Sequence, residues 1–257
     1  MDEPKKSLGQ HWLHDAAILR GIVAAVGITS DDTVLEIGPG LGTLTSHLID
    51  TGAQVIAVEY DESLLGPLKA RFADAPNFML EYADILRFDF SALPAGYKIA
   101  ANIPYYITSH LLRVLTDSPT PPVQAALLVQ KEVAERVCAA PGDMSILAVA
   151  VQLEYEASLG DLVPAALFTP PPKVDSQVLI LKKRSTPLFA NLEKDRFMRL
   201  VKAGFSAKRK TLRNTLSAGM HLAKADIDAR LSSVSIDPVR RAETLSLEEW
   251  HALYTVL

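Results

Sequence analysis

An α/β fold with a doubly wound parallel sheet, followed by a small all-helical C-terminal domain, is what the sequence predicts. Three observations carry that prediction. From Thr33 short apolar runs alternate with helical patterns, a glycine-rich turn follows the first run, and after Ser185 the strand-like runs stop.

The elements follow in order. TVLEI (33–37) ends at a glycine cluster and leads into TLTSHLID; QVIAVE (54–59) leads into ESLLGPLKARF, and NFMLEY into a polar loop. KIAA (98–101) precedes SHLLRVL, and VQAALLVQ precedes KEVAERVCAA. Strand, helix, strand, helix calls for crossover connections, which make neighbouring strands parallel. DSPTPPV and LFTPPPKVDS punctuate the later part, and QVLILKK reads as a closing strand. FMRLVKAGF, KRKTLRNTLSAG, IDARLSSV and LEEWHALYTVL then place apolar residues at helical spacing. The boundary is expected near residue 185, giving an α/β domain over 1–185 and a helical domain over 186–257.

Composition narrows the function classes. With 257 residues, 49% of them hydrophobic and 22% charged, the chain can bury a full core and still supply a second small domain. The opening MDEPKKSLGQHWLHD has no apolar stretch of the signal-peptide kind, and MSILAVAVQL (144–153) is too short to span a bilayer. A cytoplasmic protein without membrane contact is expected. Cys138 is the only cysteine, which excludes an internal disulfide and a cysteine zinc cluster, and the six histidines show no HExxH pattern. No metal is expected, and nothing demands more than a monomer. The net charge of −4 argues against a general nucleic-acid binder. Yet RFMRLVKAGFSAKRKTLR (196–213) carries Arg196, Arg199, Lys202, Lys208, Arg209, Lys210 and Arg213 with no acidic residue. That run is either a solvated helix face or a grip on phosphates.

EIGPGLGTL (36–44) follows the first strand and opens a helix, where backbone amides can approach a ligand closely. A dinucleotide loop wants GxGxxG; here Gly38, Gly40 and Gly42 are spaced GxGxG and Thr43 takes the sixth place, which weakens a pyrophosphate reading. The next strand ends in Glu59, suited to the two hydroxyls of a ribose, and the third ends near Asp84, suited to an exocyclic adenine amine. Loop and carboxylates together suit an adenosine-containing cofactor that lacks a required pyrophosphate, a description met by S-adenosylmethionine. The competing reading is that both carboxylates only cap the turns after them.

IAANIPYYITS (99–109) ends a strand and enters a helix, and ligands of open α/β sheets bind outside such strand ends. Beside a methyl donor, the Asn102 side-chain carbonyl and the Pro104 backbone carbonyl could each accept one N–H of an adenine amine. This would orient the amine and favour the positive charge that develops on nitrogen. Tyr105 would offer a face on which an unpaired base stacks. The plain alternative is a proline bend with core tyrosines.

Four stretches, KKSLGQHWLHD, EIGPGLGTLT, NIPYYITS and FTPPPKVDSQV, in this order and spacing, closely resemble the ribosomal RNA adenine N6,N6-dimethyltransferases of the bacterial KsgA/RsmA type. The likeness covers essentially the whole chain, including GFSAKRKTLRNTL in the helical tail. It implies a Rossmann-like, S-adenosylmethionine-dependent methyltransferase domain and a helical rRNA-binding domain. It implies dimethylation of two adjacent adenines in a hairpin loop near the 3′ end of small-subunit rRNA, with the small ribosomal subunit as partner. Carried over, His11 and Leu13 would line the cofactor site with Gly38, Gly40, Glu59 and Asp84, and Asn102 would stand where donor and target amine meet. Phe168 would be a second wall for the target base, or else a core residue before the proline-rich turn. Lys202, Lys208, Arg209, Lys210 and Arg213 would grip rRNA. Two departures stand out: Trp12 where the family usually has Phe, and Tyr106 where Asn is common. Three rival readings remain: a large-subunit dimethylase of the antibiotic-resistance type, an assembly factor whose binding outweighs its methylation, and a nicotinamide-dependent oxidoreductase suggested by the glycine loop and Glu59.

Overall fold

The protein is described by a computed structural model, in which residue 5 and residues 8–257 are placed; Lys6 and Ser7 of the opening motif lie outside the described residues. The chain divides into two compact units. The first comprises residues 1–135 and 155–183, the second residues 136–154 and 184–257.

The first unit is built on a seven-stranded sheet. Its strands are β2 (Thr33–Ile37), β3 (Gln54–Glu59), β4 (Phe78–Tyr82), β5 (Lys98–Asn102), β6 (Gln124–Gln130), β7 (Tyr155–Val163) and β9 (Ser176–Lys183). They lie in the order β4-β3-β2-β5-β6-β9-β7. The five strands from β4 to β6 are parallel, while β9 runs antiparallel to both β6 and β7. The sheet is therefore parallel through its centre and antiparallel at one side. Val34, Leu35, Val55, Ala57, Ile99, Ala100 and Leu127 are fully buried, and continuous apolar runs of this kind belong to strands covered on both faces. A separate two-stranded ladder pairs β1 (Trp12–Leu13) with β8 (Phe168–Thr169).

Helices α1 (Ala16–Ala25), α2 (Thr43–Ile49), α3 (Glu62–Arg71), α4 (Thr108–Asp117) and α5 (Lys131–Val137) connect the strands. Asp15 caps α1, its carboxylate accepting the amides of Ala17 and Ile18 at 2.9 and 3.0 Å. In α4, Leu111, Leu112 and Leu115 turn one face into the core, the spacing that SHLLRVL displays. Because β2 to β5 run parallel, the segments after them emerge on one rim. Strand order reverses between β2 and β5, which lie side by side, so the glycine loop and the NIPYY turn are neighbours.

The second unit contains α6 (Ile146–Glu154), α7 (Lys194–Gly204), α8 (Leu212–Met220), α9 (Lys224–Ser233) and α10 (Leu247–Val256). Its core gathers Phe197, Leu200, Leu216, Ile227, Leu231 and Trp250 with Ala148, Val149 and Leu153 of α6. Residues 136–154 thus pack with the C-terminal helices although they precede two strands of the sheet. Helix α8 starts at Leu212, later than the KRKTLRNTLSAG pattern suggests, because Thr211 is extended and the Leu212 amide pairs with Arg240 O at 2.8 Å.

Candidate active site

A cavity of about 290 Å³ opens on the rim of the first unit, where β2, β3, β4 and β5 end. His11, Gly38, Gly40, Glu59, Asp84, Asn102, Pro104 and Tyr105 all line it. These residues come from five separate stretches of sequence.

The glycine loop forms the floor. The Gly38 amide donates to Val58 O at 2.9 Å, and Gly38 itself has φ +66, a conformation costly for other residues. A Cβ on Gly38 would meet nothing within 4 Å, so the missing side chain leaves open space. At Gly42 (φ +76) the constraint is different: a Cβ would stand 2.6 Å from the Phe72 ring. The first glycine leaves room in the cavity, and the last lets the loop pack on α3. This is a cradle for a flat or narrow ligand part, and the residues present suit an adenosine-bearing group.

Glu59 is 5% exposed, and its carboxylate holds the rim together. One oxygen accepts the amides of Tyr60 and Asp61 at 2.8 and 2.7 Å, the other the Gly40 amide at 3.2 Å. A carboxylate has about four acceptor positions, so Oε2 retains room for one more donor. Burial pushes its pKa above the usual carboxylate value, against the pull of those three amides. The cap of α3 is Asp61. Burial opposes its ionisation, but hydrogen bonds from Lys5, Ser63 and Gln10 hold Asp61 down at about 2. Lys5 Nζ reaches it at 2.6 Å and Gln10 Nε2 at 2.9 Å, which ties both residues to the start of α3. Asp84 does cap the short turn at Ile85–Arg87, accepting the Leu86 amide at 3.0 Å, yet it also lines the cavity with its side chain 38% exposed. Capping and ligand contact are therefore compatible here.

Glu36, two residues before Gly38, is fully buried, and burial with the nearby Glu59 charge raises its pKa to about 8. Its Oε2 has no hydrogen-bond partner. A neutral carboxyl is the form such a place accepts.

On the other side of the cavity, Asn102 Nδ2 donates to His11 O at 3.0 Å, which orients the amide and leaves Oδ1 available as an acceptor. Pro104 O already accepts from the Ile107 amide at 3.2 Å and from Thr108 Oγ1 at 3.4 Å, so it is a more occupied acceptor than the sequence suggests. Tyr105 stacks against His11, with centroids 5.7 Å apart and planes 26° off parallel, and shares a 2.6 Å hydrogen bond with Ser176 Oγ. Burial raises its pKa further, so the phenol stays neutral. His11 Nδ1 lies 2.7 Å from Pro170 O; a carbonyl only accepts, so this nitrogen carries the proton.

Two expected residues stand elsewhere. Leu13 is fully buried and Phe168 is 3% exposed; both belong to the apolar core with Leu19, Ile22 and Val163, and neither lines the cavity. The cause is the pairing of β1 with β8, which sets Leu13 opposite Phe168. The expected second wall for a base is thus a core residue. Tyr60, Ile85 and Leu86, which the motifs do not single out, also line the cavity, as does Tyr106, the departure from the family's usual Asn, which is 62% exposed. Tyr60, Ile85 and Leu86 follow the strand-end acids directly, which is the signal that could have found them.

In the second unit Lys202 lies on α7, Lys208, Arg209 and Lys210 in the turn before α8, and all four are exposed. Arg213 differs: its Nε lies 2.6 Å from Asp228 of α9, so an acid distant in sequence neutralises it. Among the described residues no cluster of three or more His, Cys, Asp or Glu could hold a metal, and no helix is long and apolar enough to cross a membrane.

Comparison with known proteins gives the family of the chain. The family model for ribosomal RNA adenine dimethylase matches residues 1–257. A ribosomal RNA small subunit methyltransferase A of Dehalococcoides mccartyi (strain CBDB1) is 42% identical over 252 residues, covering 97% of this chain and 87% of the relative. The crystal structure of a dimethyladenosine transferase from Plasmodium falciparum superposes with a TM-score of 0.81 at 28% identity, covering 95% of this chain and 96% of that one. That of the 23S rRNA methyltransferase ErmE gives 0.79 at 27% identity, covering 96% and 99%. The chain belongs to the ribosomal RNA adenine dimethylase family.

Proposed function

We propose that the protein transfers methyl groups from S-adenosylmethionine to the exocyclic N6 amines of two adjacent adenines in the 3′-terminal hairpin loop of small-subunit rRNA, during small-subunit biogenesis in the cytoplasm. The observation that carries the reading is the pairing of the glycine cradle and Glu59 with an oriented Asn102 amide in one cavity. S-adenosylmethionine supplies a methyl group made electrophilic by its sulfonium. Glu59 Oε2 would accept from the ribose, and Asp84 from the adenine amine of the cofactor.

Asn102 Oδ1 would accept one N–H of the target amine, whose lone pair is otherwise delocalised into its ring. Pro104 O would take the second, in competition with Thr108 Oγ1. The pair positions the nitrogen and stabilises the charge it gains, which is electrostatic catalysis by acceptors. The methylated amine is acidic enough to lose its proton to water, so no strong base is required. Tyr105 would present a stacking face to the target base, which must be unpaired or flipped to reach the cavity. Lys202, Lys208, Arg209 and Lys210 would hold rRNA phosphates, with Arg213 contributing less because Asp228 already pairs with it.

The small-subunit substrate is favoured over the large by the 42% identity to a small-subunit methyltransferase, against 27% for ErmE. Methyl-labelled cofactor, incubated with small and with large subunits that lack the modification, tests this directly. Label in small subunits alone is the expected result. Label in large subunits alone would keep the chemistry and change the substrate, and calorimetric binding of NAD in place of S-adenosylhomocysteine would remove the methyltransferase reading.

A further inference from the structure

Ser176 lies outside the glycine loop, the NIPYY turn and the strand-end acids, yet it is fully buried at the start of β9. Its backbone pairs on both sides, opposite Gln130 of β6 and Val163 of β7, at the end of each ladder. Its hydroxyl meets Tyr105 Oη at 2.6 Å. The ring of Tyr105 is also stacked on His11, and His11 is anchored through Nδ1 to Pro170 O. Tyr105 is thereby fixed at two points, the ring by His11 and the hydroxyl by Ser176. The proline-rich loop that carries Pro170 leads directly into Ser176, so one segment supplies both anchors.

We propose that Ser176 is a positioning residue for the methyl-transfer reaction, acting through its hydrogen bond to Tyr105 to set the plane of the face on which the target base stacks. The inference rests on the proposed function, since it needs a base as the partner of Tyr105. A ring held only at one face can swing about its χ1 and χ2 bonds, and each swing moves the stacked amine relative to the methyl group. Positioning of this kind is read in turnover rather than in cofactor affinity.

The test compares wild type with Ser176→Ala, Ser176→Thr, Tyr105→Phe and the Ser176→Ala/Tyr105→Phe pair. The measured quantities are kcat and KM on undermethylated small subunits, S-adenosylhomocysteine affinity by calorimetry, and the thermal midpoint. Loss of one hydrogen bond predicts a roughly three- to tenfold fall in kcat/KM for Ser176→Ala, with cofactor affinity unchanged. Ser176→Thr, which keeps the hydroxyl, should recover activity. The double variant should be no worse than either single one, because both remove the same bond. Additive losses, a Ser176→Ala enzyme equal to wild type, or a parallel loss of cofactor affinity and thermal midpoint would each overturn the assignment. Failure of wild type itself to methylate either subunit would overturn the functional reading and this inference with it; wild-type activity alongside an unaffected Ser176→Ala overturns the inference alone.

Discussion

The two halves of the cavity are held in different ways. On the cofactor half, Glu59 and Asp84 accept backbone amides within three residues of themselves, and Glu59 also reaches Gly40 in the adjacent loop. On the target half, Asn102 is oriented by His11 O, 91 residues away, and Tyr105 by Ser176, 71 residues away. The first half is a product of local turns at successive strand ends. The second depends on long-range contacts that exist only when the sheet and the N-terminal segment are in place. Variants of the target half should therefore alter turnover, whereas the cofactor half should tie ligand affinity to the integrity of the rim.

The largest effect is expected at Asn102. Asn102→Ala should lower kcat by about 10²- to 10³-fold, the loss typical of removing one preorganised electrostatic contact. Single-turnover methyl transfer measures it, and a loss below tenfold would place the essential acceptor elsewhere. Next comes Tyr105→Ala, where a stacking contact worth about 1–3 kcal/mol is removed. Activity on small subunits should fall while S-adenosylhomocysteine affinity holds; an equal fall in both would assign Tyr105 to the cofactor half. Charge reversal at Lys208, Arg209 and Lys210 should weaken rRNA binding and flatten the dependence of log K on log salt by about 2 units. An unchanged slope in filter binding would return these residues to the status of a solvated surface.

The smallest effect concerns Glu36, buried in β2 just ahead of the glycine loop and outside the cavity lining. Glu36 is buried and held near pKa 8, above its unfolded value of 4.5. A carboxyl raised in this way is protonated in the folded state, so unfolding above pH 4.5 releases a proton. Its stabilising contribution is complete below pH 4.5 and is lost as pH rises through about 8. Glu36→Gln should fold, and its stability should fall less between pH 5 and 8 than that of wild type. Parallel curves in urea unfolding would show that Glu36 is ionised in place.

Legibility in the sequence follows the same division. The glycine loop, Glu59 and Asp84 could be read because each is set by its immediate neighbours at a strand end, and the family motifs lie over them. The fold class could be read from alternating apolar runs, and the antiparallel placement of β9 could not, because QVLILKK carries no sign of its direction. The burial of Leu13 and Phe168 outside the cavity is hidden for a related reason. A two-residue ladder leaves no periodicity in the sequence, and the entry of both side chains into the core shows only in the folded packing. Residues 136–154 follow the sheet pattern in linear order, and only tertiary packing groups them with the later helices. The pairing of Arg213 with Asp228 is hidden similarly, since the acid arrives from α9. Ser176 lies inside the FTPPPKVDSQV motif, but its partner does not show there, because Tyr105 arrives from the turn after β5.

The most direct test of the account is mass spectrometry of nucleosides from small-subunit rRNA that lacks the modification, after incubation with the protein and S-adenosylmethionine. N6,N6-dimethyladenosine at two adjacent positions of the 3′-terminal hairpin loop is the expected product. Unmodified adenines there, with protein that binds S-adenosylhomocysteine and the subunit normally, would contradict it.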